Sequence, residues 1–444
     1  MTIKFKTYKD VLNLITEPEE PLDDLNLRLV EAVVCDSTSW SQFLQQKGAR
    51  AHQQVLSAAI QRFILARSES SRSSESIVMY QMIQGLKKLA HLIPEDINDL
   101  IESDDDWLFQ TGYKLLNQSE SQPDTSTLNR TLSIMREKGV DHIPYAVGES
   151  LARFITAEPD YCYVLTDMFA HETKSFKLAL LHSFGLCPQL PVEAAAFVLS
   201  QCRITEGDLK SKALFAASAC TTLRAEAITL LNKELSSPVW YLRATAAYSL
   251  GRLEIREHAI IKRIAALLND TEGHDWSARD AAIDALADIG HAAAFTIPDL
   301  LGLLDTELNS TYRLENTLVA VCDALTKLDS GSTEVIDALV EVFTRCSTVA
   351  VSAALMALGH FGNRSTAVLE HLKPYVYDNK YMEGCYITED DTDVIILKNL
   401  LKIEGPNGDM FKKFLDTLKN DHHPETRRMA ASFEKNLLHN NLRE

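Results

Sequence analysis

Near the C-terminus, residues 373–393 read KPYVYDNKYMEGCYITEDDTD. Here Tyr375, Tyr377, Tyr381 and Tyr386 stand close to Glu389, Asp390 and Asp391. Tyrosine beside carboxylate is a chemistry of recognition: the rings bury large areas as anchors, and the acids select a cationic partner. So aromatic a stretch is not composed like a disordered linker. The helix before it is expected to end near Leu372 and the next to begin near Val394, leaving an insertion much longer than the other turns of the chain. The competing reading lets the first helix run on to Tyr377, with the tyrosines packed on the scaffold. Acid is also dense at residues 17–24 and 95–107, and Asp104 and Asp105 join the four tyrosines and three acids as candidate partner contacts. Taken alone, each acidic run reads first as a solvated loop or helix start, where carboxylates suit the helix dipole.

Catalytic chemistry finds less support. The chain has no GxGxxG, P-loop, HExxH or GxSxG motif. The stretch HETK, residues 171–174, lacks the second histidine that a zinc site on a helix needs. His422 and His423 are adjacent, so they project from different sides of any helix and make a poor metal pair. The 8 cysteines are scattered without a CxxC pair, as expected for buried thiols in a reducing compartment. Neither a metal nor a cofactor is implied, and a non-enzyme is expected.

The bulk numbers narrow the partner. At 444 residues and 46% hydrophobic, the chain is long enough for several domains or for one elongated stack. A net charge of −18 repels phosphate and attracts bases, which disfavours nucleic acid and favours a basic protein. The most apolar long tract, residues 178–199, carries two prolines, a histidine and a glutamate, which argues against a membrane span. The N-terminus lacks an apolar core of signal-peptide length. A soluble cytoplasmic protein is expected.

What positions these residues is a repeat. Residues 236–253, SSPVWYLRATAAYSLGRL, return as residues 273–290, GHDWSARDAAIDALADIG, with Trp240 over Trp276, Arg243 over Arg279, Ala246 over Ala282 and Leu250 over Leu286. Arg243, Ala246, Ala247 and Leu250 lie at i, i+3, i+4 and i+7, one face of a helix. A second amphipathic run follows each copy, beginning near Ala259 and Thr296, so each unit is a helical hairpin. A lone hairpin cannot bury its apolar stripe, whereas stacked hairpins share one core. The pattern recurs more loosely at residues 315–328, 349–362 and 421–433, and in degenerate form at 173–188 and 209–220. Trp240 and Trp276 are expected as wedges between hairpins, and Arg243 and Arg279 as partners of Asp270 and Asp305 in a ladder along the stack.

The cadence Trp–x–x–Arg–x–x–Ala–Ala–x–x–Leu resembles HEAT repeats, in particular the short HEAT-like repeats of phycobilisome lyases, most strongly over residues 236–290. The resemblance implies an all-α fold, an α-solenoid of HEAT-like helical hairpins. Three regions are expected: an N-terminal helical region or cap over 1–150, degenerate repeats over 151–235, and HEAT-like repeats over 236–444 carrying the insertion. Since function sits on sites and not on folds, the leading expectation is a non-catalytic scaffold with an acidic surface that captures a basic protein. Its narrowest form is an inhibitor or immunity protein of a basic toxin or nuclease. The resemblance also raises a bilin lyase-like enzyme and a HEAT-like DNA glycosylase; the acidic charge opposes the latter.

Overall fold

A computed structural model describes residues 101, 112–114, 116–117, 125–137, 145–273, 277–310, 314–329, 331–346, 349–377, 389–420, 427, 430–431 and 433–434. All regular structure among them is helical. The chain divides into two compact units between Thr222 and Leu223.

In the first unit α1 (Thr125–Glu137), α2 (Tyr145–Ala157), α3 (Tyr161–Phe169), α4 (Lys174–Leu186), α5 (Val192–Ile204) and α6 (Gly207–Ala217) follow in order. Helices α2, α4 and α6 pack side by side as one layer, and α3 and α5 pair in another. Thr173 starts α4 by accepting the Phe176 amide, a side-chain cap for one of the donors that a helix start leaves open.

The second unit repeats the plan. One layer contains α8 (Trp240–Arg252), α10 (Ala278–Ile289), α12 (Glu315–Leu328), α14 (Val349–Phe361) and α16 (Glu389–Glu404). Behind it stand α9 (His258–Ala266), α11 (Ile297–Asn309), α13 (Thr333–Arg345), α15 (Ala367–Tyr377) and α17 (Asp409–Lys419), while α7 (Arg224–Glu234) packs on α8.

The layers differ in composition because they differ in burial. Helix α13 is a simple amphipath, burying Val335, Ile336, Leu339, Val342 and Phe343 along one stripe. Front-layer helices pack closely on their neighbours in the same layer, so alanine and glycine replace larger side chains. In α8 the buried set includes Ala244, Ala246, Ala247 and Gly251. A methyl group on Gly251 would lie 2.5 Å from Ala285 Cα, so α8 and α10 nearly touch backbone to backbone. Ser277 and Asp280 form a reciprocal capping box that starts α10, and Gly290, at φ 65°, ends it.

Of the two readings of the tyrosine-rich segment, the structure supports the helix that runs on to Tyr377 and corrects the expected start near Val394. Helix α15 does not stop at Leu372 but continues to Tyr377, and α16 already begins at Glu389. Proline inside α15, Pro374, removes one backbone donor. The buried stripe Val368, Leu372 and Val376 nevertheless carries the helix through it; residues 378–388 lie outside the described residues.

Candidate functional site

The joint between hairpins is built by the repeated residues. Trp240 opens α8, half-buried, with its ring against Gly273: at φ 102°, a Cβ there would come within 2.8 Å of Trp240 Cε3. Arg243 Nε donates to Asp270 Oδ2 at 2.7 Å, Nη2 to Glu272 Oε2 at 2.6 Å and Nη1 to the Ser237 carbonyl at 2.8 Å. The connection between α9 and α10 is thereby tied to the start of α8. Burial alone would raise the pKa of Asp270, but hydrogen bonds from Arg243 and the Glu272 amide, with the charges of Arg243 and Arg279, hold it below the usual carboxylate value. Hydrogen bonding to Asp270 likewise raises the pKa of Arg243, against the opposing effect of burial and with further help from Glu272.

The next rung differs from the expected one. Arg279 Nη1 donates to Glu307 Oε1 at 3.0 Å, and not to Asp305. Glu307 lies on the buried stripe of α11 with Leu300, Leu303 and Leu304, whereas Asp305 faces solvent and accepts from Asn309. A buried carboxylate needs a cation more than an exposed one does, and Glu307 also accepts the Leu314 amide at 3.3 Å. Trp276 lies outside the described residues.

Of the expected partner contacts, Asp104, Asp105, Tyr381 and Tyr386 also lie outside them, as do the side chains of Tyr375, Glu389, Asp390 and Asp391. Glu389, Asp390 and Asp391 form the first turn of α16, and Tyr377, at the end of α15, is 51% exposed.

A second acidic surface was not anticipated. Along α10, Asp280, Asp284 and Asp288 lie at i, i+4 and i+8, the first two half-buried and Asp288 exposed. On the neighbouring α12 Asp323 and Lys327 form an ion pair at 2.7 Å. Asp288 has its pKa raised first by burial; Lys327 and Arg252 oppose this, while Asp323 and Glu254 reinforce it. Asp288 of α10 thus lies within electrostatic reach of Arg252 on α8 and of Asp323 and Lys327 on α12. Lys327 is held charged by its hydrogen bond to Asp323, against burial, and by the fields of Asp323, Asp288 and Asp284. The spacing of the three α10 aspartates is legible in sequence; their grouping with Asp323 requires the helix packing.

At the N-terminal ends of α10 and α12 a cavity of about 710 Å³ opens, lined among others by Asp270, Gly273, Asp280, Leu314 and Glu315. Among the described residues no group of three or more His, Cys, Asp or Glu side chains could hold a metal ion. No single described helix is long and apolar enough to cross a membrane. Such a surface can bind cations and apolar groups by contact.

With this geometry in view, a model of the HEAT repeats family matches residues 228–317, which span the Trp240–Arg243 joint and the next rung. The fold is an α-solenoid of HEAT-like hairpins. Importin beta crystallised in ammonium sulfate superposes with a TM-score of 0.51 at 12% identity, covering 94% of this chain and 60% of that one. Importin beta crystallised in polyethylene glycol gives 0.51 and 12%, covering 94% of this chain and 68% of that one. This chain therefore spans only about 60% of the first of these relatives, and at such identity the likeness concerns the HEAT-like fold alone. No curated protein matches the chain.

Proposed function

We propose that this protein is a non-catalytic binding scaffold that captures a basic protein on the open face of its second unit. The observation that carries this reading is the row of Asp284, Asp288 and Asp323 across adjacent helices, only partly offset by Arg252 and Lys327. A rigid helix layer holding carboxylates in register raises the local concentration of cationic partners and penalises acidic ones. The net charge of −18 extends the same preference over the whole chain. An α-solenoid supplies the extended surface on which such capture is commonly built. Inhibition of a basic toxin or nuclease is the narrower form of this function and makes the same demand on the surface.

The test is affinity capture at low salt with the intact chain and with a variant carrying Asp284→Asn, Asp288→Asn and Asp323→Asn. A basic protein retained by the parent, released by salt and lost from the variant supports the reading. Retention of nothing basic, or equal retention by the variant, overturns it.

A further inference from the structure

The connection between α16 and α17 consists of Gly405, Pro406, Asn407 and Gly408. Gly405, at φ 80°, ends α16 by donating its amide to the Leu401 carbonyl at 2.9 Å. The Gly408 amide then donates back to the Gly405 carbonyl at 3.1 Å, closing a turn with Pro406 and Asn407 at its centre. Asn407 does not adopt a positive φ, so the turn is type I, the class that favours proline at its first central position and glycine at its last. Pro406 and Asn407 are both exposed.

Packing fixes the residue after Asn407. A Cβ on Gly408 would lie 2.3 Å from Glu404 Cβ and 2.5 Å from Glu404 Oε2, so a side chain there would displace Glu404. That carboxylate is already engaged: Oε2 accepts the Phe411 amide at 3.0 Å, capping the first turn of α17, and Phe411 is buried. The fold therefore demands glycine directly after an exposed asparagine. It is the single Asn–Gly pair among the 444 residues. Glycine shields its own amide nitrogen least, because no Cβ stands between that nitrogen and the preceding carboxamide.

We propose that Asn407 is a site of spontaneous covalent modification. When the turn opens and the Gly408 amide gives its proton to hydroxide, the nitrogen attacks Asn407 Cγ. A Cγ–N bond forms, the Cγ–Nδ2 bond breaks, and ammonia leaves with a proton from water, which restores the hydroxide. Water then hydrolyses the cyclic imide at one of its two carbonyls. Opening at Cγ leaves aspartate on a normal backbone; opening at the main-chain carbonyl leaves isoaspartate, whose backbone runs through Cγ and is one carbon longer.

Opening the turn costs little, since it rests on the Gly408–Gly405 hydrogen bond and buries neither central residue. Asn309, which precedes Ser310, shows the opposite arrangement: Nδ2 donates to Asp305 at 2.9 Å and Oδ1 accepts from Arg345 at 2.9 Å. Its carboxamide is held in place, whereas that of Asn407 has no such tie among the described residues. The two products differ in consequence. Aspartate puts a charge just ahead of α17, where the helix dipole favours it and Glu404 and Asp409 oppose it. Isoaspartate moves Gly408 away from Glu404 and loosens the cap on Phe411.

The test is incubation of the intact chain in mildly alkaline buffer, sampled by peptide mapping with mass spectrometry and by ion-exchange chromatography. The peptide holding Asn407 should gain the mass of amide-to-acid exchange several-fold sooner than the one holding Asn309, and the chain should shift to more acidic elution. Enzymatic methylation specific for isoaspartate should label the same peptide. Asn407→Gln should lose both signals, because glutamine would have to close a larger ring. Asn407→Asp, with the charge on an unaltered backbone, should melt close to the parent, and the isoaspartate fraction of the aged chain should melt lower. An unchanged native chain, over a time in which the urea-unfolded chain converts, means that the turn protects Asn407 and overturns the proposal. Conversion of Asn309 first, or persistence of the acidic shift in Asn407→Gln, overturns it as well. An isoaspartate fraction that melts with the parent overturns the effect on α17.

Discussion

Arg243 Nε stands 2.7 Å from Asp270 Oδ2, 27 residues further along the chain, with the two side chains only 12% and 11% exposed. This contact fastens the connection ahead of α10 to the beginning of α8. Removing the guanidinium leaves a carboxylate largely buried without its cation, which costs about 3 kcal/mol in comparable pairs. Arg243→Ala should therefore lower the urea midpoint clearly, and Arg243→Lys should recover only part, because an ammonium cannot reach Asp270, Glu272 and the Ser237 carbonyl in one planar fork. A midpoint for Arg243→Ala equal to the parent's would contradict the joint.

Two aspartates should respond to pH in opposite directions. The folded pKa of Asp270 lies below its unfolded value, so its contribution is present above about pH 4 and fades as pH falls through the folded value. Asp270→Asn should destabilise at pH 7 and approach the parent in acid. The folded pKa of Asp288 is raised, so its contribution is complete below about pH 4 and is lost as pH rises through the folded value. Asp288→Asn should gain stability relative to the parent at pH 7, and the gain should vanish in acid. Melting temperatures across this pH range decide both.

Two glycines in helices should give opposite answers to the same substitution. At Gly251 the added methyl meets Ala285 Cα at 2.5 Å and Cβ at 2.9 Å. Overpacking of about 1–3 kcal/mol outweighs the helix-propensity gain of about 0.5–1 kcal/mol, so Gly251→Ala should melt lower. Gly302 in α11 has nothing within 4 Å of its would-be Cβ, so Gly302→Ala should melt higher. Equal melting temperatures would mean that α8 and α10 separate without cost.

Thiol labelling should follow burial. Burial raises the Cys162 thiol to a pKa of about 11, and burial first, then Cys346 and Asp323, raises that of Cys322 to about 12. At pH 8 both should resist a disulfide reagent in the native chain, because the thiolate is the nucleophile. The half-buried Cys346 should be modified earlier, and urea should expose all three. Site-resolved mass spectrometry reads the order; native labelling of Cys322 ahead of Cys346 would contradict the packing of α12.

The sequence repeat alone predicts α8 and α10, and it also predicts the Arg243–Asp270 contact, because the arginine, the helix period and the acid after the second helix all recur. The partner of Arg279 was not legible in the same way. Choosing between Asp305 and Glu307 depends on which face of α11 is buried, a matter of two residues on a helix. The sequence left two ends open for α15, Leu372 and Tyr377; burial of Val376 decides for the second and carries the helix past Pro374. The aspartates of α10 were visible as letters four apart. Their grouping with Asp323 arises only when α10 and α12 lie side by side, and no spacing within one helix encodes that.

The near contact of Gly251 with Ala285 has a mechanical side. Where two backbones nearly touch, no side chain remains to be compressed, so α8 and α10 form a nearly incompressible seam. The opposite layer is spaced by longer side chains, which can repack by small rotations. At this pair, bending should therefore be one-sided: α9 and α11 behind it can shift while α8 and α10 cannot move closer. A ligand seated on the front face would meet a surface of constant pitch even as the stack behind it flexes.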